Sequence, residues 1–370
     1  MKAVAAVKRV SWAELFYDLV FVFAVMQVAL ILAGDVSWHG MLRAWVLFTP
    51  FWWAWVGTGI LANLTDLDQV KDRLRLFAIG LTTFLMTVAA PDAFGGHAVF
   101  FAAAFVALRL LLLWWSTDRF GRLGLTPFST SAFITGPLLL ATSLLPVESR
   151  LIAWTLLMVA ELSTTWVFRN RLKGLRVDSA HLPERFGLVV MIALGESLVS
   201  AGGAVLHEFG SPEVLSLAAC FALACGLWWL YFHHSHGAVE HRLRNEENQS
   251  KVIREILAYG HYGLICAIVA IAVGMKSVVK HPDEHPQQTV VWLLCVGTAL
   301  FLAVFIWPRW GIFRLLSAVR VPAVVLCLAA GVVGTLMPAS ALTALLAALL
   351  IIVALLETVY VRREHARQKT

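Results

Sequence analysis

Glu14 and Asp18 stand four residues apart in an otherwise apolar stretch, a spacing that puts both carboxylates on one face of a helix, one turn from each other. Paired acids of this kind can exchange protons, hold a cation, or act as general acid and base. Three more ionisable side chains, Arg109, Glu161 and Glu196, fall inside apolar runs. Placing such a group in hydrocarbon costs about 2.5 to 3.5 kcal/mol on insertion scales, so each is expected to face the bundle interior and to have a partner. Counted from the inner end of its span at about 1.5 Å per residue, Asp18 lies about 9 Å deep, Arg109 about 10 Å, Glu161 about 12 Å and Glu196 about 18 Å. This layering predicts a polar path from Arg185 and Glu14 at the inner mouth, through Asp18 paired with Arg109, to Glu196 near the midplane. Glu196 sits between Gly195 and Ser197, where small residues let a helix or ligand approach, and no basic partner is expected at its depth. The same Asp18 and Arg109 could instead form a fixed ion pair that sets helix register.

Histidines and aromatics add a second set of candidates. His181 and His261 could relay protons near neutral pH. His233, His234 and His236 with His241 invite a metal reading, but adjacent helical residues point about 100 degrees apart, and a solvated helix end explains them better. Trp52, Trp53 and Trp55, with Trp228, Trp229 and Tyr231, could line a cavity suited to cations or isoprenoid-like chains, although lipid-facing packing is the default for such residues. Five cysteines lie in apolar runs without a C-x-x-C pair, and no phosphate loop, nucleophile elbow or H-E-x-x-H motif occurs, so neither a metal nor a cofactor is expected.

These residues need helices in a bilayer to hold them. Of the 370 residues, 60% are hydrophobic and 14% charged, whereas soluble chains average about 25% charged. The expected class is an all-α polytopic membrane protein of about twelve transmembrane helices, over 12–33, 41–62, 74–90, 97–116, 127–146, 150–169, 184–206, 213–235, 252–274, 288–307, 321–337 and 340–361. The remaining residues suffice for short loops and leave no room for a soluble catalytic domain. Residues 1–9 and the apolar run after them mimic a signal peptide, but Glu14 and Asp18 interrupt the run, which is expected to stay as the first helix. With both termini inside, most of the 29 Lys and Arg fall in inner loops; Arg43, Arg150, Lys276 and Lys280 are left outside and Arg109 within a span. That asymmetry predicts a cytoplasmic-membrane protein with both termini cytoplasmic, and it uses the +6 net charge without nucleic acid. Glu14-Leu-Phe16 is echoed by Glu184-Arg-Phe186, Trp52-Trp53 with Trp55 by Trp228-Trp229 with Tyr231, and Glu161 by Glu357. These echoes suggest two parallel six-helix repeats, 1–180 and 181–370.

The run Ser11-Trp-Ala-Glu14-Leu-Phe16-Tyr-Asp18 resembles the opening signature of the bacterial low-temperature-requirement protein A (LtrA) family. His181-x-x-Glu184-Arg185 and Leu194-Gly195-Glu196-Ser197 resemble its H-x-x-E-R and L-G-E-S elements, and Asn63-x-x-Asp66-x-Asp68 and Tyr259-x-His261 also fit. The likeness covers residues 11–275, while 276–370 agree only in hydropathy. It implies a multi-pass membrane protein and supplies no substrate. Phe16-Tyr17-Asp18 in the first helix is also similar to the Phe-Ser-Asp of endolysosomal and bacterial potassium channels, with Tyr17 at the serine position. The leading expectation is a secondary transporter or ion and proton pathway that meets membrane lipids and a small ion or small molecule; oligomeric state stays open. The alternatives are an intramembrane enzyme using a carboxylic acid in an aromatic pocket on a lipid or isoprenoid, and a non-catalytic membrane sensor or assembly factor.

Overall fold

Ser11 starts the first helix, α1 (Trp12–Gly34), through a reciprocal capping box: its hydroxyl accepts the Glu14 N–H at 3.3 Å, and the Glu14 carboxylate accepts the Ser11 N–H at 2.9 Å. Ser37 caps α2 (Trp38–Leu64) in the same manner by accepting the Gly40 N–H at 3.1 Å. The computed structural model describes residues 10–121, 124–205, 210–233, 236–304, 306 and 314–367, and among them the regular structure is helical, with no strand. α3 (Val70–Ala89) and α4 (Ala98–Phe120) follow, and Gly121, at φ 64°, takes the left-handed position that ends α4. A broken rod comes next: α5 (Pro127–Thr130), a π-helical stretch Ser131–Thr135, and α6 (Gly136–Thr142). Then come α7 (Val147–Val167), α8 (His181–Gly202), α9 (Ser211–Phe232) and α10 (His236–Asn245). α11 (Gln249–Val252) runs through a second π-helical stretch, Ile253–Gly260, into α12 (His261–Lys280). α13 (Gln288–Ala303), α14 (Arg314–Val333) and α15 (Ala339–Arg367) complete the chain.

Nine helical segments among the described residues are long and apolar enough to cross a membrane. Three of the twelve expected spans are not among them. The fifth is the rod 127–142, short and interrupted by its π segment; the sixth, α7, carries Glu148, Arg150 and Glu161; the tenth, α13, has 16 residues. Large apolar side chains such as Leu19, Leu81, Ile152, Leu156 and Leu355 are exposed, while Glu14, Asp18, Arg109, Glu161 and Arg185 are buried. That inversion of the soluble pattern identifies lipid as the solvent of this surface.

The chain forms two compact units, Met1–Val189 with Glu240–Arg254, and Val190–Val239 with Glu255–Thr370. In the first, α1 lies against α2 and α3, α3 against α4, and α2 against α4 and α7. In the second, α9 lies along α15, α12 along α13, and α13 along α14. Small residues allow this proximity: a Cβ on Gly226 would meet Leu350 Cβ at 2.8 Å, and one on Gly297 would meet Ile271 Cγ1 at 2.8 Å and the Ala267 carbonyl at 3.1 Å. The second unit also encloses an ion pair, with Arg320 Nε donating to Glu357 Oε1 at 2.5 Å and Nη2 to Oε2 at 3.0 Å.

The three echoes between the chain's halves have unequal settings. Glu14 is buried and Glu184 exposed; Phe16 is exposed and Phe186 buried; Trp52 and Trp53 are buried while Trp228 and Trp229 are exposed. Trp55 and Tyr231 are both buried, and Glu161 and Glu357 share an environment, each buried against an arginine. Of the inner-side basic residues, Lys2, Lys8, Arg9, Arg122, Arg309 and Lys369 lie outside the described residues, as do His234 and Ser235. Arg320, expected in a loop, and Arg150, expected at the outer surface, are buried instead.

Removing one partner of the Arg320–Glu357 pair leaves an uncompensated buried charge. Arg320→Met alone should therefore lower stability by about 3–5 kcal/mol, and Arg320→Met with Glu357→Met by far less. Thermal unfolding in detergent, followed by tryptophan fluorescence, compares the two.

Candidate functional site

Asp18 sits two turns into α1 and is fully buried. Its partner is Arg185, one turn into α8, and not Arg109. Arg185 Nη2 donates to Asp18 Oδ1 at 2.9 Å and its Nε reaches the two oxygens at 3.3 and 3.4 Å. The Trp55 indole N–H donates to the same Oδ1 at 2.7 Å. Two charge-assisted donors and an indole thus satisfy a fully buried carboxylate. The guanidinium stacks at 5.3 Å from the Trp55 ring and 5.8 Å from the Tyr17 ring, which holds its plane as well as its charge.

Glu14 extends the cluster by one turn. Its carboxylate accepts Arg185 Nη1 at 3.4 Å, His181 Nε2 at 3.2 Å, and both the N–H and the hydroxyl of Ser11 at 2.9 Å. The other side of the His181 ring meets α2: Asn63 Nδ2 lies 2.9 Å from His181 Nδ1. Asn63 in turn bonds the backbone of Asp178 twice, accepting its N–H at 2.9 Å and donating to its carbonyl at 3.3 Å. Asp178 Oδ1 accepts the N–H groups of Ala180 and His181, which anchors the start of α8. Three helices and one loop therefore converge on four buried groups, Glu14, Asp18, His181 and Arg185, all with fully buried side chains.

The aromatic candidates divide. Trp52 and Trp55 stack at 5.4 Å, and Phe186 meets them edge-on at 6.0 and 4.8 Å, so these rings fill space against one another beside Arg185. Trp53 is buried with them, whereas Trp228 and Trp229 are exposed on α9. Tyr231 is buried and hydrogen bonds His261 Nε2 at 2.8 Å, while His261 Nδ1 donates to the Ile256 carbonyl at 3.0 Å within the π-helical stretch. π-helical turns often accompany functional sites because they shift side chains out of the regular register.

Arg109 has its own partner, Glu161 Oε1, at 3.3 Å, and Ser131 in the first π-helical stretch donates to that same oxygen. The expected path from Asp18 through Arg109 is therefore not made: each belongs to a separate ion pair. Arg109 also reaches the Pro50 carbonyl at 3.4 Å, and its Nε and Glu161 Oε2 have no hydrogen-bond partner among the described residues. Glu196 is half-buried in the second unit, where the Lys276 charge is an electrostatic neighbour. Ser197 is buried and donates to the Leu194 carbonyl at 2.6 Å. Glu184 is exposed and takes no part in the cluster. Trp55 as a donor and Asn63 as a clamp were not anticipated in these roles. The helix-start signature at Ser11 and Glu14 and the loose Asn63 motif were the visible hints.

Arg185→Met should cost about 3–5 kcal/mol by stranding Asp18 and Glu14. Arg185→Lys should restore only part, because one ammonium cannot bridge both carboxylates while stacking on Trp55. Glu184→Gln should stay within about 0.5 kcal/mol. Melting temperatures of the three purified variants provide the comparison.

The family model described as bacterial low temperature requirement A protein (LtrA) matches residues 9–355, beyond residue 275 where recognisable motifs end. Uncharacterized protein RA0937 from Rhizobium meliloti (strain 1021) is 28% identical over 376 residues, covering 97% of this chain and 91% of its own. No solved structure matches. With its family match spanning nearly the whole chain, including the segments that supply Ser11, Glu14, Asp18, Asn63, His181 and Arg185, the protein belongs to the bacterial LtrA family.

Proposed function

We propose that this LtrA-family membrane protein is a secondary transporter or ion pathway that moves protons or a small cation, with Glu14, Asp18, His181 and Arg185 as its exchange site. The observation that carries this reading is a charge mismatch: two fully buried carboxylates face one permanent cation. In a medium where an unmatched charge is costly, such a cluster has affinity for one more positive charge. Arg109 with Glu161, and in the second unit Glu196 beside Ser197 and His261 with Tyr231, are further polar positions for this activity.

The accompanying topology is twelve spans in the inner membrane with both termini cytoplasmic, supported by the asymmetry of basic residues. In this topology the rod 127–142, α7 and α13 also cross, sheltered by longer neighbours. For a duplicated six-helix plan the supporting observation is that Glu161 and Glu357, at the ends of the sixth and twelfth spans, are each buried against an arginine. The partners are membrane lipids and a small ion. An enzyme with an aromatic pocket is less favoured, because Trp52, Trp55 and Phe186 pack on each other.

Purified protein in liposomes, loaded with a pH dye and tested under proton and potassium gradients, should show flux that falls about tenfold or more in folded Glu14→Gln and Asp18→Asn. Absence of wild-type flux under either gradient would remove the pathway reading. Full flux in both variants would move the exchange site elsewhere.

A further inference from the structure

The hydrogen bonds around Asn63 fix more than its position. Its oxygen faces the Asp178 N–H at 2.9 Å and its nitrogen faces the Asp178 carbonyl at 3.3 Å. Turning the amide over would set donor against donor and acceptor against acceptor, so two backbone groups determine its orientation. The amide nitrogen therefore points an N–H at His181 Nδ1, 2.9 Å away, and Nδ1 must present a lone pair. The single ring proton then sits on Nε2, where it donates to Glu14 at 3.2 Å. In this tautomer the His181 ring carries no charge, and Glu14 and Asp18 against Arg185 leave the cluster with one excess negative charge.

We propose that His181 Nδ1 is a binding site for a single proton, and that its occupation releases the Asn63 clamp on Asp178 at the entrance to α8. This rests on the pathway reading for its use, though not for its chemistry. The titratable and charged groups facing His181 are Glu14 of α1, Arg185 of α8, the Asp178 carboxylate that caps α8 and, behind Arg185, Asp18 and Tyr17. Asp18 accepts hydrogen bonds from Arg185 at 2.9 Å and from Trp55 at 2.7 Å, and Glu14 receives donors on both oxygens. The remaining basic lone pair is Nδ1. A proton arriving there brings the cluster to neutrality, and the new Nδ1–H faces the Asn63 NH2, donor against donor. Asn63 must then turn or withdraw. In either case both of its bonds to the Asp178 backbone are lost, and the segment leading into the helix that carries Arg185 is freed. Charge compensation in the core and loosening of α2 from the start of α8 become a single event.

The full-length protein, with 15N-labelled histidine and reconstituted in lipid nanodiscs, allows a direct test. His181 signals are assigned by their loss in His181→Gln, and hydrogen exchange of the peptide spanning 178–181 is followed at each pH. Near neutral pH, His181 should give the neutral pattern with its proton on Nε2. On acidification, the doubly protonated ring should appear together with faster exchange across 178–181. Asn63→Asp, which offers Nδ1 a carboxylate, should raise the midpoint by about 1–3 pH units. If Asn63→Asp does not fold, Asn63→Ser serves instead: its hydroxyl can donate or accept, so His181 should titrate with no accompanying change in exchange.

A proton on Nδ1 at neutral pH, a ring that stays neutral until the protein unfolds, or wild-type titration without a change in exchange would overturn the proposal. Absent flux with the expected titration would leave the proton switch and remove the pathway. Intact flux with the wrong tautomer would do the reverse.

Discussion

A guanidinium buried away from solvent must find its counter-charges among the side chains that pack on it, and Arg185 finds two, Asp18 and Glu14, on successive turns of α1. Much of the first unit follows from that requirement. The four-residue spacing of the acids sets which face of α1 meets α8, and the stacking of the guanidinium on Trp55 sets how α2 sits beside them. Even the capping box at Ser11 belongs to this arrangement, since the Glu14 carboxylate that satisfies the helix start also meets Arg185 and His181. A substitution that preserves helix propensity but alters charge here acts on three helices together.

The same economy of charges recurs elsewhere in different form. Arg109 with Glu161 and Arg320 with Glu357 are one-to-one pairs, balanced and buried. The Glu14, Asp18, Arg185 and His181 group differs because its count of fixed charges is uneven and its adjustable member is a histidine whose tautomer is imposed by a backbone. The Tyr231 and His261 contact beside the π-helical stretch is also histidine-centred, with a backbone carbonyl directing the Nδ1 proton. Balanced pairs give register to helices, whereas uneven groups with a histidine can change state.

Residue type and spacing were enough to mark Glu14, Asp18, Arg109, Glu161 and His181 as unusual, since each interrupts or borders an apolar run. Partner choice was not legible. It depends on how helices distant in sequence are rotated and how deep each side chain reaches, and Asp18 and Arg109 seemed matched only because both were counted to similar depth. Arg185 was expected at a mouth because it stands one turn from a polar loop, yet its long side chain lies inward. Arg320 was expected in a loop because the eleventh span was set to begin at residue 321, whereas α14 begins at Arg314 and carries it inside. Trp228 and Trp229 illustrate another limit: a tryptophan facing lipid and one facing a neighbouring helix have the same hydropathy, and only packing separates them.

In the twelve-span topology proposed above, the broken rod between α4 and α7 bears on the bilayer itself. Its residues 127–142 extend about 24 Å at about 1.5 Å each, against a hydrocarbon thickness of about 30 Å. Phe133, Ile134 and Leu138 point outward from it, so acyl chains must meet a hydrophobic wall several ångströms too short. Lipid there has to thin or tilt, at a cost of fractions of a kcal/mol per ångström. In that topology the short rod favours thinner or more fluid bilayers along this flank.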